Sequence, residues 1–292
     1  LNKSTLFPQV EPEGWKAWCP EMLQGNKVVF LLGGVDTGKT YLARFLYEKT
    51  KEAGLKSAIL ELDVGQSEFG PPLTCTLFMD GLSRKHYFIG KFSPQGVFWR
   101  CLTAGVLLKK EAEKLGPDLV IVDTTGLVEG PPGVWLKCTK IELLRPDLIL
   151  ARSRSTELEP ILGHFSFRKD IKIIRDAVPP QIRCFSSKER AILREQKLRH
   201  YFRNSQEYVV PRDKVALLPN PDSFERISQR GGLIVGLIDG NGWLLALAIL
   251  IEKVRSLRLF APSFPVQELA CIEPSSIRTL DPESFIIGKE RP

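Results

Sequence analysis

Residues 28–46 read Val28-Val29-Phe30-Leu31-Leu32-Gly33-Gly34-Val35-Asp36-Thr37-Gly38-Lys39-Thr40-Tyr41-Leu42-Ala43-Arg44-Phe45-Leu46. An apolar run enters a loop of the spacing G-x-x-x-x-G-K-T, and the loop opens into an amphipathic segment: strand, glycine loop, helix. Such a loop wraps a triphosphate, because its backbone N–H groups point inward and the helix N-terminus adds a positive field. Glycine at 33 and 38 lets the backbone turn tightly and approach the oxygens. Lys39 reaches the β- and γ-phosphates in this pattern, and the Thr40 hydroxyl binds Mg²⁺. Gly33, Gly34, Val35, Asp36, Thr37, Gly38, Lys39, Thr40 and Tyr41 are therefore the candidate nucleotide-binding residues. An ordinary glycine-rich turn would leave Lys39 unexplained.

Beyond this stretch, short apolar runs alternate with amphipathic ones, which predicts an α/β fold with a parallel sheet. Strands are expected at Val28–Leu32, Ser57–Leu62, Leu119–Asp123, Leu148–Ala151 and Lys172–Ile174, and helices over Thr40–Ala53, Gly96–Leu115 and Pro132–Leu144. The second helix has an alternative, later start, since Pro94-Gln95-Gly96 reads as a turn. Ser186-Ser187-Lys188-Glu189 is a capping-box signature for one more helix. On it Arg190 and Arg194 stand four apart on one face, with Lys197 a turn further; Leu198 and Phe202 belong to an apolar face. After about Ser205 the texture turns to strands, with Asp239-Gly240-Asn241-Gly242 a strong hairpin signal.

The reading is thus a P-loop NTPase parallel sheet flanked by helices, with a small β-rich C-terminal domain. Residues 1–27 form an N-terminal segment with a short helix around 14–23. Residues 28–205 form the P-loop domain, including a basic helix near 186–203, and 206–292 the β-rich domain. The 292 residues suffice for that division, and 41 basic against 34 acidic residues (net +7) permit a polyanionic partner without requiring one. Six scattered cysteines without a C-x-x-C pair fit a reducing compartment and no disulfides, and three histidines lack zinc spacing. The longest apolar run, Trp243–Ile251, is too short to cross a bilayer. A soluble, cytoplasmic protein without a signal peptide or membrane contact is expected.

Two strands end in carboxylates. Leu60-Glu61-Leu62-Asp63 places Asp63 at the carboxyl end of its strand, where open α/β sheets bind ligands; it serves magnesium or a nucleophile, or else caps the next turn. Glu61, deeper on the same side, is expected to be structural. Leu119-Val120-Ile121-Val122-Asp123 also ends in Asp, so two carboxylates compete for the metal role. Thr40, Asp63 and Asp123 are the metal candidates, and Asp63 is alternatively the base that takes a proton from an attacking hydroxyl.

The glycine loop, then Leu62-Asp63-Val64-Gly65-Gln66-Ser67-Glu68-Phe69-Gly70-Pro71-Pro72, then Asp123-Thr124-Thr125-Gly126, then Arg190-x-x-x-Arg194 resembles the polynucleotide 5′-hydroxyl kinases. That family includes the kinase subunit of the mRNA 3′-end cleavage machinery, the pre-rRNA-processing kinase and shorter prokaryotic relatives. The resemblance spans roughly residues 25–280, and Asp63-Val64-Gly65-Gln66 is its most specific piece. It implies transfer of the γ-phosphoryl of ATP to the 5′-hydroxyl of RNA or DNA, with single-stranded 5′ ends as partner. It also implies that Lys39 and Asp63 are catalytic, Asp63 accepting the hydroxyl proton. Gln66 falls near the acceptor. Thr124, with Thr125 and Gly126, matches an element that clasps nucleic acid. Arg190 and Arg194 match a catalytic lid over the triphosphate. Where eukaryotic relatives place a tryptophan after this clasp, the chain has Leu127; Trp99 and Trp135 are possible substitutes for base stacking, with core positions the commoner reading. A different class, an ATP-binding scaffold of an RNA-processing assembly that does not turn over, would carry similar motifs. The guanine-reading N-K-x-D motif is absent.

Overall fold

The computed structural model describes residues 25, 27–179, 182–218, 232–252 and 256–279. The expected helix at 14–23 lies outside the described residues, as do Lys253, the end of an expected strand from Trp243, and Arg226, Arg230 and Arg255, arginines of the β-rich domain that could extend a nucleic-acid groove. The chain divides into two compact units. One comprises the chain to Asp63, Cys75–Arg84 and Phe98–Ser186; the other comprises Val64–Thr74, Lys85–Val97 and the chain from Ser187.

The first unit is organised by apolar strands buried on both faces, which is how parallel strands covered by helices read. In chain order it contains β1 (Val28–Gly33), α1 (Lys39–Glu52), β2 (Ser57–Leu62), β3 (Thr74–Met79) and the start of β4 (Leu82–Phe88). These are followed by α2 (Phe98–Leu115), β5 (Leu119–Thr124), α3 (Gly130–Leu144), β6 (Leu148–Ser153), α4 (Glu159–Phe165) and β7 (Lys172–Ala177). The strand order is β4-β3-β2-β5-β1-β6-β7. β1 runs parallel to β5 and β6, β5 to β2, and β6 to β7, while β3 is antiparallel to β2. This mostly parallel sheet matches the expected class. Every residue of β1, β2 and β5 is buried.

Two local devices fix the strands that carry the loop. Asp147 accepts the N–H groups of Lys27 and Val28 at 2.9 and 2.8 Å, which starts β1 beside β6. Pro at the first turn of α3 supplies helical φ where no N–H is needed. α2 takes the later of its two expected starts. β3 and β4, joined through Asp80-Gly81 with φ of 55° and 73°, were not among the expected strands. Their alternation is weak, and only that left-handed pair signals the turn.

The second unit is built on an antiparallel sheet, β8-β12-β11-β10-β13-β9, with β9 parallel to β13. Its strands are β8 (Gln206–Pro211), β9 (Ala216–Leu217), β10 (Gly232–Asp239), β11 (Leu244–Glu252), β12 (Ser256–Ala261) and β13 (Leu269–Thr279). The β10–β11 hairpin turns where expected: Asp239 Oδ1 accepts the N–H groups of Asn241 and Trp243, both at 2.8 Å. Against this sheet packs α5 (Ser187–Phe202), whose Leu198 and Phe202 join Phe88, Ile234, Leu247 and Ile249 in one core. The Tyr201 hydroxyl accepts the Leu247 N–H at 3.0 Å, tying the helix to the middle of β11. Gly236 is required here because an added Cβ would stand 2.7 Å from the Phe88 ring. Burial of these side chains anchors the C-terminal turns of α5 and leaves most of its first two turns exposed.

Candidate active site

The glycine loop connects β1 to α1 with backbone that only its sequence tolerates. Gly38 sits at φ 78° as the N-cap of α1 and brings no capping side chain, so no side chain of its own occupies the first-turn N–H groups. At Gly33 a Cβ would stand 2.6 Å from Thr37 Oγ1 and 2.7 Å from the Arg152 carbonyl. The Thr37 hydroxyl closes the loop on the Gly34 carbonyl at 3.0 Å. Lys39, buried, donates to the same carbonyl at 2.6 Å. Burial pushes its ammonium pKa down, while Asp123, Asp63 and Asp36 oppose that and Arg152 adds to it.

Beside Lys39, the Thr40 hydroxyl donates to Asp123 Oδ2 at 2.7 Å across 83 residues of sequence. Asp123 is wholly buried and its other oxygen, Oδ1, has no hydrogen-bond partner. Burial raises its pKa to about 6; the Asp63 charge adds to the rise, and Lys39 and the Thr40 hydrogen bond oppose it. The register explains the proximity of the two carboxylates. Glu61 faces Asp123 and Leu62 faces Thr124 across β2 and β5, so Asp63 is the next residue off the same sheet end. Glu61 is fully buried.

The turn after β5 is equally constrained. Thr124 Oγ1 donates to the Leu31 carbonyl at 2.9 Å. A Cβ on Gly126 would meet the Val35 backbone at 2.6 Å, so glycine there lets this turn lie against the phosphate loop. The structure thus gathers Gly33–Thr40, Asp63, Asp123 and Thr124–Gly126 at one end of the parallel sheet. Gln66, Arg190 and Arg194 belong to the second unit. There Gln66 is exposed, Arg194 Nε donates to the Gly65 carbonyl at 3.1 Å, and the Arg194 guanidinium lies 5.4 Å from the Phe92 ring centroid.

Sequence reasoning missed three basic residues, Arg152, Arg154 and Lys137, and the partner of a fourth, Lys197. Arg152, fully buried at the end of β6, donates to the Gly38 carbonyl at 3.2 Å and forms an ion pair with Asp176 at 2.9 Å. Arg154 donates to the Asp36 carbonyl at 2.7 Å, while the Asp36 carboxylate accepts the Phe185 N–H at 2.8 Å. Lys137 on α3 donates to Thr124 Oγ1 at 2.6 Å. Lys197 on α5 donates to the Ser67 carbonyl at 2.8 Å. The two arginines had a readable signal: Ala151-Arg152-Ser153-Arg154 ends an apolar strand at the sheet end where ligands bind. Correction is due for Trp99 and Trp135. They are 62% and 53% exposed rather than core, and the Trp135 ring lies tilted against Phe98 with centroids 6.0 Å apart.

A parallel sheet that ends in a phosphate loop, with a Thr-bound carboxylate on the neighbouring strand, defines a P-loop nucleotide-binding protein. Residues 33–204 match the family described as mRNA cleavage and polyadenylation factor CLP1 P-loop, and the chain belongs to that family. A polyribonucleotide 5′-hydroxyl-kinase of Methanocaldococcus jannaschii is 37% identical over 218 residues, covering 71% of this chain and 59% of that protein. Its counterpart in Pyrococcus horikoshii is 39% identical over 192 residues, covering 63% of this chain and 52% of that protein. The chain spans between half and three fifths of the length of these relatives. A solved Clp1p–Pcf11p complex contains a chain of the same fold, with TM-score 0.69 at 15% identity, covering 91% of this chain and 78% of that one. Among the described residues the five cysteines form no disulfide, and no helix is long and apolar enough to cross a membrane.

Proposed function

We propose that the protein is an ATP-dependent polynucleotide 5′-hydroxyl kinase acting on RNA or DNA ends. The observation that carries this reading is the division of labour between two neighbouring strand-end carboxylates. Asp123 is engaged by Thr40 at 2.7 Å, on the nucleotide side, and Asp63, one residue beyond the β2 strand that pairs with β5, is the carboxylate assigned to the acceptor. The relatives from Methanocaldococcus jannaschii and Pyrococcus horikoshii are named polyribonucleotide 5′-hydroxyl-kinases, which supports the reading.

The donor set fits magnesium. Asp123 Oδ1 is buried without a partner and the Thr40 hydroxyl adjoins it, a hard-oxygen corner of the kind that ion takes together with phosphate and water. Thr40 and Asp123 would hold it, with Asp63 next to them. When bound, the ion draws charge from the phosphate oxygens and orients the γ-phosphoryl. The residues of the chain then divide the work. The amides of Gly33–Tyr41 hold the triphosphate, and Lys39 leaves the Gly34 carbonyl for the β- and γ-oxygens. Gln66 and Thr124–Gly126 orient the acceptor end. Asp63 takes the proton of the 5′-hydroxyl as its oxygen bonds to phosphorus and the bond to ADP breaks. Arg190 and Arg194 add positive charge where the transferring phosphoryl becomes most negative. Such catalysis is mostly positioning and electrostatic stabilisation.

The test uses labelled ATP, a 5′-hydroxyl oligonucleotide, and the Lys39→Ala and Asp63→Ala variants. Both variants should lose transfer, Lys39→Ala with weakened ATP binding and Asp63→Ala without it. Full activity in Asp63→Ala would remove the general-base assignment. ATP retained unhydrolysed with no labelled oligonucleotide would favour a scaffold.

A further inference from the structure

Lys137 sits in the middle of α3 with no exposed surface at all. An ammonium in that position is costly unless its N–H groups are used. Here all three have acceptors: Thr124 Oγ1 at 2.6 Å, Thr125 Oγ1 at 3.5 Å, and the Thr125 carbonyl in a short bond. None of these partners is a carboxylate. The charge is balanced through space by Asp63 and Asp123, against the opposing charges of Lys140 and Lys39, and burial drives the Lys137 pKa well down. Lys140, three residues on along the same helix, is also buried, and its Nζ has no hydrogen-bond partner. A helix that buries two lysines beneath one turn gives up stability that two leucines would have supplied.

The bonds form a chain from helix to phosphate loop. Lys137 grips Thr124, Thr124 grips the Leu31 carbonyl at 2.9 Å, and Leu31 lies two residues before Gly33. The same ammonium grips the Thr125 carbonyl, immediately before the Gly126 that lies against Val35.

We propose that Lys137 is a positioning residue for the acceptor strand: it sets the Thr124–Gly126 turn in the conformation that receives a polynucleotide end, and touches no substrate itself. This rests on the kinase reading for the identity of the acceptor, but the holding of the turn does not. A methionine at 137 fills nearly the same space and donates no hydrogen bond, so it frees the turn without opening a large cavity.

The experiment has two readouts on full-chain Lys137→Met. Amide hydrogen exchange, which needs no activity, should quicken at least tenfold at Thr125 and Gly126 while the β5 amides of Val120–Val122 keep their wild-type rates. In steady-state kinetics the KM for a 5′-hydroxyl oligonucleotide should rise about tenfold, with the KM for ATP within twofold of wild type. Lys137→Gln, which keeps two N–H donors without the charge, should recover part of both effects, and takes the place of the methionine variant if that one does not fold. Unchanged exchange in the turn overturns the proposal. So does exchange that quickens equally throughout β5, or a KM for ATP that rises as much as that for the oligonucleotide, since either marks a general structural role. A wild-type protein without transferase activity would instead sink the kinase reading, and the exchange rates would still decide whether Lys137 holds the turn.

Discussion

Replacing Asp123 by asparagine should stabilise the nucleotide-free protein while ending phosphoryl transfer. The carboxyl is wholly buried, with one oxygen bonded to Thr40 and the other without a partner. Its pKa rises from 3.8 to about 6, first through burial and then through the charge of Asp63. The folded state therefore holds this proton more tightly than the unfolded chain. The resulting contribution to stability is fully present below about pH 4 and is lost as pH rises through 6. A shift of about two units amounts to about 3 kcal/mol at pH 8 and roughly half that at pH 5. Asparagine is neutral throughout and keeps an oxygen for the Thr40 hydroxyl, so it removes the penalty. Thermal melts of wild type and Asp123→Asn at pH 5 and pH 8, without nucleotide, give the comparison. The variant should gain at both pH values and about twice as much at pH 8, while magnesium and ATP should raise the wild-type melting temperature and barely move that of the variant. A variant less stable than wild type at pH 8, or a gain independent of pH, would refute the reasoning. The trade is the usual one of stability for function at a charged site.

Gly126→Ala should weaken ATP binding at least tenfold, because its Cβ would stand 2.6 Å from the Val35 backbone and push the phosphate loop; titration with a fluorescent nucleotide measures it. Lys197→Met removes the bond to the Ser67 carbonyl and should raise the oligonucleotide KM about fivefold, the worth of about 1 kcal/mol for a partly exposed bond, with the ATP KM unchanged. His86, whose pKa burial lowers from 6.5 to about 4, stays neutral in the fold. Stability from this group is present above pH 6.5 and falls as pH drops toward 4, by about 2 kcal/mol at pH 5. The acid limb of the melting profile should therefore flatten in His86→Gln, opposite in sign to the change made at Asp123.

Much of the first unit was legible because its signals are local. A buried parallel strand is a continuous apolar run, and G-x-x-x-x-G-K-T has one physical use, so Val28–Glu52 could be read directly. Asp63 and Asp123 were found as strand ends, but their proximity depends on the β2–β5 register, which links residues about 60 apart in sequence, and the bond from Thr40 to Asp123 spans 83 residues. Lys137 was invisible for a different reason. Pro132–Leu144 reads as a helix with lysines at 137 and 140, and lysine on a helix ordinarily faces water. Only the packed structure shows that this face is the buried one. The strands β4, β8 and β13 escaped because partly exposed antiparallel strands with polar interruptions carry little periodic signal, and β3, though almost wholly buried, because Thr74-Cys75-Thr76 breaks its apolar run. In α5 the capping box and the Leu198–Phe202 face were readable, whereas the bonds from Arg194 and Lys197 to the loop after Asp63 were not, since carbonyl acceptors leave no mark in sequence.

The most direct measurement compares two acceptors of identical sequence, one ending in a 5′-hydroxyl and one in a 5′-phosphate, each incubated with the protein, magnesium and ATP labelled at the γ-phosphate. A cradle formed by the glycine loop, with the strand-end carboxylate of Asp63 at the same end of the sheet, predicts label on the hydroxyl-ended strand alone and none with Asp63→Asn. Label on neither strand from protein that binds ATP, or undiminished label with Asp63→Asn, would contradict it.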